Sequence, residues 1–277
     1  MRTRPAWLDR KIDFTKMHET QQLLRGLDLN TVCNHARCPN ITECYARRTA
    51  TFLILGAHCT RNCRFCAVSP GTPELPDKTE PARLAQAVAR LAVRHVVVTS
   101  VTRDDLADGG AAHYAAVVAA IRAGDSSVKV ELLIPDFGGA YDSLRTVLDS
   151  SPDVLGHNVE TVPSLYHIRA GASYARSIEL LSRAKAGGAA RVKSGIMLGL
   201  GESEGEIRAT LRDIRDAGAD YLSIGQYLQP SKSNIAVNEY IAPAKFAEYG
   251  DYARTLGFMH VESAPYVRSS YHADRFD

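Results

Sequence analysis

The chain has 277 residues, 45% hydrophobic and 23% charged, with a formal net charge of +2. That length fits one large domain better than two, and the apolar fraction can fill a sizeable core. The near-neutral balance argues against broad nucleic-acid binding, and no apolar run approaches a membrane span, so a cytoplasmic protein that engages neither is expected.

Met1 to Lys16 is locally basic, with Arg2, Arg4, Arg10, Lys11 and Lys16. It lacks the apolar centre of a secretion signal. It reads as a solvated arm, or as a cover for the cysteine-rich stretch that follows. HETQQLLRG predicts a helix ending at Gly26, where glycine suits a left-handed cap. All six cysteines then fall between Cys33 and Cys66. Cys33, Cys38 and Cys44 are spaced C-x4-C-x5-C; Cys59, Cys63 and Cys66 are spaced C-x3-C-x2-C. Between the trios, TATFLIL (Thr49 to Leu55) predicts a buried strand.

From there the pattern alternates. Strands are predicted at Thr49–Leu55, His95–Ser100, Val128–Ile134, Asp153–Val159, Arg191–Leu198, Tyr221–Gly225 and Phe258–Glu262. Helices are predicted at Pro81–Arg94, Ala111–Ala123, Tyr141–Ser150, Ser173–Ala186, Glu204–Ala217 and Ala244–Leu256. Such alternation implies βαβ crossovers and a parallel sheet. Polar, Gly-rich and Pro-rich strings follow the strands: CTRNCRFC, TSVTRDDLADGG, PDFGG, HNVETVP, KSGIMLGLGE, GQYLQPS and SAPYVRSSYHAD. In a parallel barrel, that rim carries the function.

Three chemistries compete for the cysteines. Disulfides require an oxidising compartment, which nothing in the sequence signals. Zinc favours four closed ligands, whereas each trio supplies three. Iron–sulfur clusters take soft thiolates at these short spacings, and a trio leaves one iron of a [4Fe–4S] cube without a cysteine.

CTRNCRFC, with Phe65 before its last cysteine, resembles the radical S-adenosylmethionine enzymes. RCPNITEC followed by TATFLILG is similar to the lipoyl synthase family, and the similarity runs from about Trp7 to Phe276. The resemblance implies an α/β fold, a partial (β/α)6 TIM-like barrel with N-terminal and C-terminal extensions closing the mouth. Residues 1–48 would carry the auxiliary trio, 49–262 the core, and 263–277 the RSSY motif.

It also implies two [4Fe–4S] clusters and S-adenosylmethionine as cofactors. Cys59, Cys63 and Cys66 would bind the cluster whose vacant iron chelates S-adenosylmethionine, generating a 5′-deoxyadenosyl radical. Cys33, Cys38 and Cys44 would bind an auxiliary cluster that supplies sulfur, with a serine of Arg268-Ser269-Ser270-Tyr271 as fourth ligand: Ser270, or Ser269 in the alternative register. The implied reaction inserts sulfur at C6 and C8 of protein-bound octanoyl-lysine. The substrate would be an octanoylated lipoyl carrier domain of a 2-oxoacid dehydrogenase E2 or the glycine-cleavage H protein. A flavodoxin or ferredoxin would supply electrons and an iron–sulfur carrier would repair the cluster. A monomer is expected.

Contacts to S-adenosylmethionine are read from polar residues on the rim: Thr99, Ser100, Asp104, Asn158, Glu160, Lys193 and Gln226. Asn158 and Glu160 flank Val159 and would share one side of a strand, with Glu160 as the ribose ligand. Arg61 and Arg64 in the cysteine loop read as solvated. Gly199 and Gly201 lack dinucleotide spacing and fit a tight strand-to-helix turn. Rival readings are another two-cluster radical enzyme, a non-catalytic iron–sulfur carrier and a zinc-stabilised module. Both trios are expected to face one shared cavity at the rim.

Overall fold

A computed structural model describes residues 5–9 and 17–273. The basic arm's Arg2, Arg4, Arg10, Lys11 and Lys16, and Phe276, lie outside the described residues. Among the described residues, seven parallel strands run in chain order: β1 (Thr51–Ile54), β2 (His95–Ser100), β3 (Lys129–Leu133), β4 (Val154–Gly156), β5 (Val192–Leu198), β6 (Tyr221–Gln226) and β7 (His260–Ser263). The N-terminal helices are α1 (His18–Gly26), α2 (Val32–His35) and α3 (Ile41–Ala46). The crossovers are α4 (Glu80–Leu91), α5 (Ala111–Gly124), α6 (Tyr141–Asp149), α7 (Tyr174–Ala186), α8 (Glu204–Asp216) and α9 (Pro243–Thr255). Each of the first six strands is therefore followed by a helix. β1 and β7 do not pair, so the barrel is open.

Local chemistry marks the element ends. α4 carries proline in its first turn and stops at Ala92, which takes the left-handed conformation. α8 opens with a capping box between Ser203 and Glu206.

The strands separate two environments, because side chains alternate across a sheet. Phe52, Val96, Val98, Leu132, Leu222 and Ile224 pack outward in the main core with the helices. The opposite face, towards the barrel interior, carries His95, Glu131 and Lys193. Apolar burial outside stabilises the barrel; the polar inside is where chemistry is placed.

The chain ends close the seam. Leu53 N–H donates to the Asn30 carbonyl at 2.9 Å, covering the free edge of β1. The C-terminal segment enters the barrel beside β6, where Gln226 N–H donates to the Pro265 carbonyl at 3.1 Å. A Cβ on Gly225 would lie 2.1 Å from the Val267 carbonyl oxygen, so only glycine admits that segment. Asn40 Nδ2 donates to the Tyr266 carbonyl at 2.7 Å, and Tyr271 O–H donates to Glu43 at 3.0 Å, tying the two ends together. Among the described residues, no helix is long and apolar enough to cross a membrane.

Candidate active site

The second cysteine trio sits on the loop after β1, at the C-terminal end of that strand. The root of the loop is fixed by buried charge. Leu55, at φ 69°, donates its N–H to Glu80 Oε2 at 3.0 Å, and Glu80 also holds His113 at 2.7 Å. Arg103, 1% exposed, donates to the Leu55 carbonyl at 3.1 Å. Cys59 Sγ accepts from the N–H groups of Arg61 (3.4 Å) and Thr102 (3.3 Å). From outside, Asn234 Nδ2 donates to the Cys66 carbonyl at 2.8 Å, so the loop after β6 lies over the cysteine loop.

Arg61 departs from its expected solvated state. Its side chain is only 8% exposed and pairs with Asp104 and Asp136, each at 2.7 Å. Burial opposes ionisation of Asp136, yet the Arg61 contact holds its carboxyl at about 2. The PDFGG string therefore clamps the cysteine loop.

Beyond β4, a bulge brings two of the expected contacts together. His157 N–H pairs with the Lys193 carbonyl, but Glu160 N–H rather than Val159 N–H pairs with that of Gly195, so one residue is inserted. The Ser194 hydroxyl accepts from Val159 N–H in its place, at 3.3 Å. Glu160 adopts φ 70°, and Asn158 Nδ2 donates to Glu160 Oε1 at 3.1 Å. A Cβ on Gly195 would come within 3.1 Å of Asn158 Oδ1, so glycine there lets the amide lie across β5. Burial raises the Glu160 carboxyl pKa despite Arg169 nearby. The thiols of Cys63 and Cys66 also feel Glu160, which places that carboxylate beside the second trio.

The other rim candidates are engaged within the protein. Asp104 is bound to Arg61 and Thr60. Thr99 donates its hydroxyl to the Leu133 carbonyl at 2.8 Å. Ser100 shares the outward face of β2 with Val96 and Val98 and meets Tyr114 of α5. Gln226 is saturated by backbone, donating to the carbonyls of Leu198, Tyr227 and Glu239 and accepting from Ile241 N–H. Lys193 is the second residue of β5, at the end opposite the rim, and its Nζ binds Glu131 at 2.9 and 3.1 Å. In the LGLGE turn, the amides of Gly199, Leu200 and Gly201 all donate to Glu202, which occupies the place a phosphate would need.

Arg169 was missed by the sequence reading. Its Nη1 donates to the Asn158 and Val159 carbonyls (3.0 and 3.2 Å), while its buried Nε has no partner among the described residues. Its charge acts on both Cys63 and Glu160. It lies beyond the quoted HNVETVP string, and no spacing singled it out.

The first trio lies elsewhere. Cys33 is in α2, whose N-cap Thr31 accepts from Asn34 N–H, and Cys44 is in α3. Tyr45, 1% exposed, braces the two helices: its hydroxyl meets Thr31 and Asn34, and its carbonyl accepts from Thr20. Cys33, Cys38 and Cys44 line one cavity with Thr51, His95 and Ser270. Thr51 and His95 begin β1 and β2, so this cavity is at the N-terminal end of the barrel. The expectation of one shared cavity at the rim is corrected: the trios occupy opposite ends of β1. At about 3.3 Å per residue, β1 separates them by roughly 13 Å.

The C-terminal segment spans that gap. Ser269 Oγ donates to Asn158 Oδ1 at 2.9 Å, while Thr51 Oγ1 donates to Ser270 Oγ at 2.6 Å. Adjacent serines thus face the two trios separately.

A family model for the radical SAM superfamily matches residues 53–214. A lipoyl synthase of Geobacter metallireducens is 56% identical over 99% of this chain and 97% of its own. Lipoyl synthases of Citrifermentans bemidjiense and Caldanaerobacter subterraneus are 55% and 51% identical over 99% and 98% of this chain and 94% and 96% of theirs. The chain belongs to the lipoyl synthase family. Solved structures share the fold at low identity. Streptococcus suis SuiB bound to its precursor peptide gives a TM-score of 0.60 at 12% identity, covering 92% of this chain and 56% of that one. Methylornithine synthase (PylB) gives 0.52 at 15%, covering 93% and 88%.

As a member of the lipoyl synthase family, the protein is a radical SAM enzyme that uses S-adenosylmethionine and two [4Fe–4S] clusters. The donors present fit such clusters. All six cysteines are free thiols. Burial first, then neighbouring thiolates, push Cys33 and Cys44 up to about 12. Buried thiolates crowded this way require a compensating cation, as an iron–sulfur core provides.

Proposed function

We propose that Cys59, Cys63 and Cys66 hold the radical-generating cluster, and that Cys33, Cys38, Cys44 and Ser270 hold the sulfur-donating one. The enzyme makes the lipoyl group, inserting sulfur at C6 and C8 of protein-bound octanoyl-lysine. The observation that carries the site assignment is the pair of serines joining both ends of β1. When bound, the cofactors supply a 5′-deoxyadenosyl radical at one end and sulfide at the other.

The protein's own groups define the path between them. Asn158 and Glu160 form the polar ledge for the adenosyl group, with Arg169 as the cation beside it. An extended eight-carbon chain, with bonds of about 1.5 Å, spans roughly 9 Å, which covers most of the length of β1. Ser270 offers oxygen, a harder donor than thiolate, and therefore a more labile hold on iron. Thr51 stabilises that oxygen by donating to it.

Residues 1–48, 49–262 and 263–277 act as auxiliary-cluster extension, radical core and closing segment. The carrier is an octanoylated domain of a 2-oxoacid dehydrogenase E2 or the H protein. A flavodoxin or ferredoxin delivers electrons, an iron–sulfur carrier restores the auxiliary cluster, and the enzyme works as a cytoplasmic monomer.

Anaerobic incubation with dithionite, S-adenosylmethionine and an octanoyl-lysyl peptide tests the reading. Mass spectrometry is expected to show addition of two sulfurs, with 5′-deoxyadenosine formed. Deoxyadenosine without sulfur addition by protein carrying both clusters would contradict it.

A further inference from the structure

The first-trio cavity contains a histidine that the roles above leave unused. His95 opens β2, its side chain is 5% exposed, and it lines the cavity with Cys33, Cys38, Cys44 and Ser270. Its Nε2 lies 3.3 Å from Glu131 Oε2. Glu131, whose side chain is 1% exposed, also holds Lys193 Nζ at 2.9 and 3.1 Å. A carboxylate bound to an ammonium group only accepts hydrogen bonds, so Nε2 carries the imidazole hydrogen. In the neutral ring, Nδ1 is then the lone-pair nitrogen. It is buried and has no hydrogen-bond partner among the described residues.

A buried acceptor with no partner is unfavourable unless something occupies its lone pair. The arrangement has a known chemical use. A metal-binding histidine donates its other N–H to a carboxylate, which sets the tautomer and ring orientation. Imidazole nitrogen also serves iron in clusters otherwise held by thiolate. Here Glu131 supplies the carboxylate, Lys193 fixes Glu131, and His95 belongs to the wall that Ser270 and the three thiols share.

We propose that His95 is a reserve ligand of the auxiliary cluster, its Nδ1 taking the iron that Ser270 releases. The exchange breaks an iron–oxygen bond and forms an iron–nitrogen bond. No electron is transferred, and the serine oxygen takes its proton from water. Iron would thereby be retained while the cluster is opened. The inference rests on assigning the first trio to the auxiliary cluster.

The test uses the full chain with Cys59→Ala, Cys63→Ala and Cys66→Ala, so that only the first trio carries iron. The protein is reduced with dithionite and examined by pulsed EPR with 15N-labelled histidine. Directly bound nitrogen is expected to be absent with Ser270 in place, strong after Ser270→Ala, and lost when His95→Gln is added. Iron is expected at about four per chain in the Ser270→Ala protein and about three after the second change. No histidine coupling after Ser270→Ala, or coupling that survives His95→Gln, overturns the proposal. If the background protein binds no iron, the trio assignment fails and the proposal falls with it. His95→Gln keeps an amide to meet Glu131, and thermal unfolding separates lost ligation from lost folding.

Discussion

The two cysteine sites are built on opposite plans. The first trio is carried by the short helices α2 and α3 and the turn between them, braced by Tyr45 and enclosed with the oxygen and nitrogen groups of Thr51, Ser270 and His95. The second trio rides an irregular loop held by ion pairs from neighbouring loops, beside Asn158, Glu160 and Arg169. Enclosure by exchangeable donors suits a cluster that is dismantled. A clamped loop beside a polar ledge suits a cluster that must persist and orient a second molecule. One strand, β1, keeps them apart while the C-terminal serines reach both.

The largest effect expected from breaking this contrast is a clean separation of products. Alanine at Cys59, Cys63 or Cys66 abolishes 5′-deoxyadenosine formation. Alanine at Cys33, Cys38 or Cys44 leaves deoxyadenosine but removes sulfur addition, read by chromatography and mass spectrometry on the same samples. Identical loss of both products in both sets would erase the distinction.

Next is the serine pair. Ser270→Ala should reduce sulfur addition by more than tenfold with deoxyadenosine retained, whereas Ser269→Ala should change turnover only severalfold, through Asn158. Equal effects would undo the assignment of one serine to each end.

The clamp is a matter of stability. Asp136 has no exposed side-chain area and pairs with Arg61 and Arg176. Asp136→Asn leaves Arg61 with one fewer anionic partner and should cost about 3 to 5 kcal/mol, measured by urea unfolding at neutral pH. Because the native carboxyl lies at about 2, its contribution is present above pH about 4 and lost as pH falls towards 2. The variant should lack that slope.

The smallest effect concerns His157, 1% exposed, with Nδ1 against the Ile134 carbonyl and Nε2 against Ser177. Burial first, then Arg169, lowers its pKa to about 4. The unfolded chain therefore binds the extra proton first, and stability falls as pH drops from about 6.5 towards 4, by up to about 3 kcal/mol. His157→Gln should flatten that region of the unfolding profile.

Much of this was legible in the sequence for stated reasons. The βαβ alternation follows from apolar runs whose outward residues must meet helices, and both trios declare themselves by spacing. Glu160 was recognisable beside Asn158, although the bulge that sets their contact was not. Lys193 and Gln226 show the limit. Their strings end at the rim, but the register puts Lys193 at the far end of β5 and turns Gln226 towards backbone carbonyls. Strand-end position predicts where polar groups cluster; pairing and parity decide which of them face the interior. The end-to-end placement of the trios was hidden for the same reason, since α2 and α3 dock on the start of β1 through contacts with the distant C-terminal segment.

Iron anomalous diffraction from anaerobically grown crystals of the reconstituted enzyme tests the central claim most directly. Two iron peaks are predicted, one among Cys33, Cys38, Cys44 and Ser270, the other among Cys59, Cys63 and Cys66, separated by roughly 13 Å along β1. A single iron site, or one drawing cysteines from both trios, would contradict it.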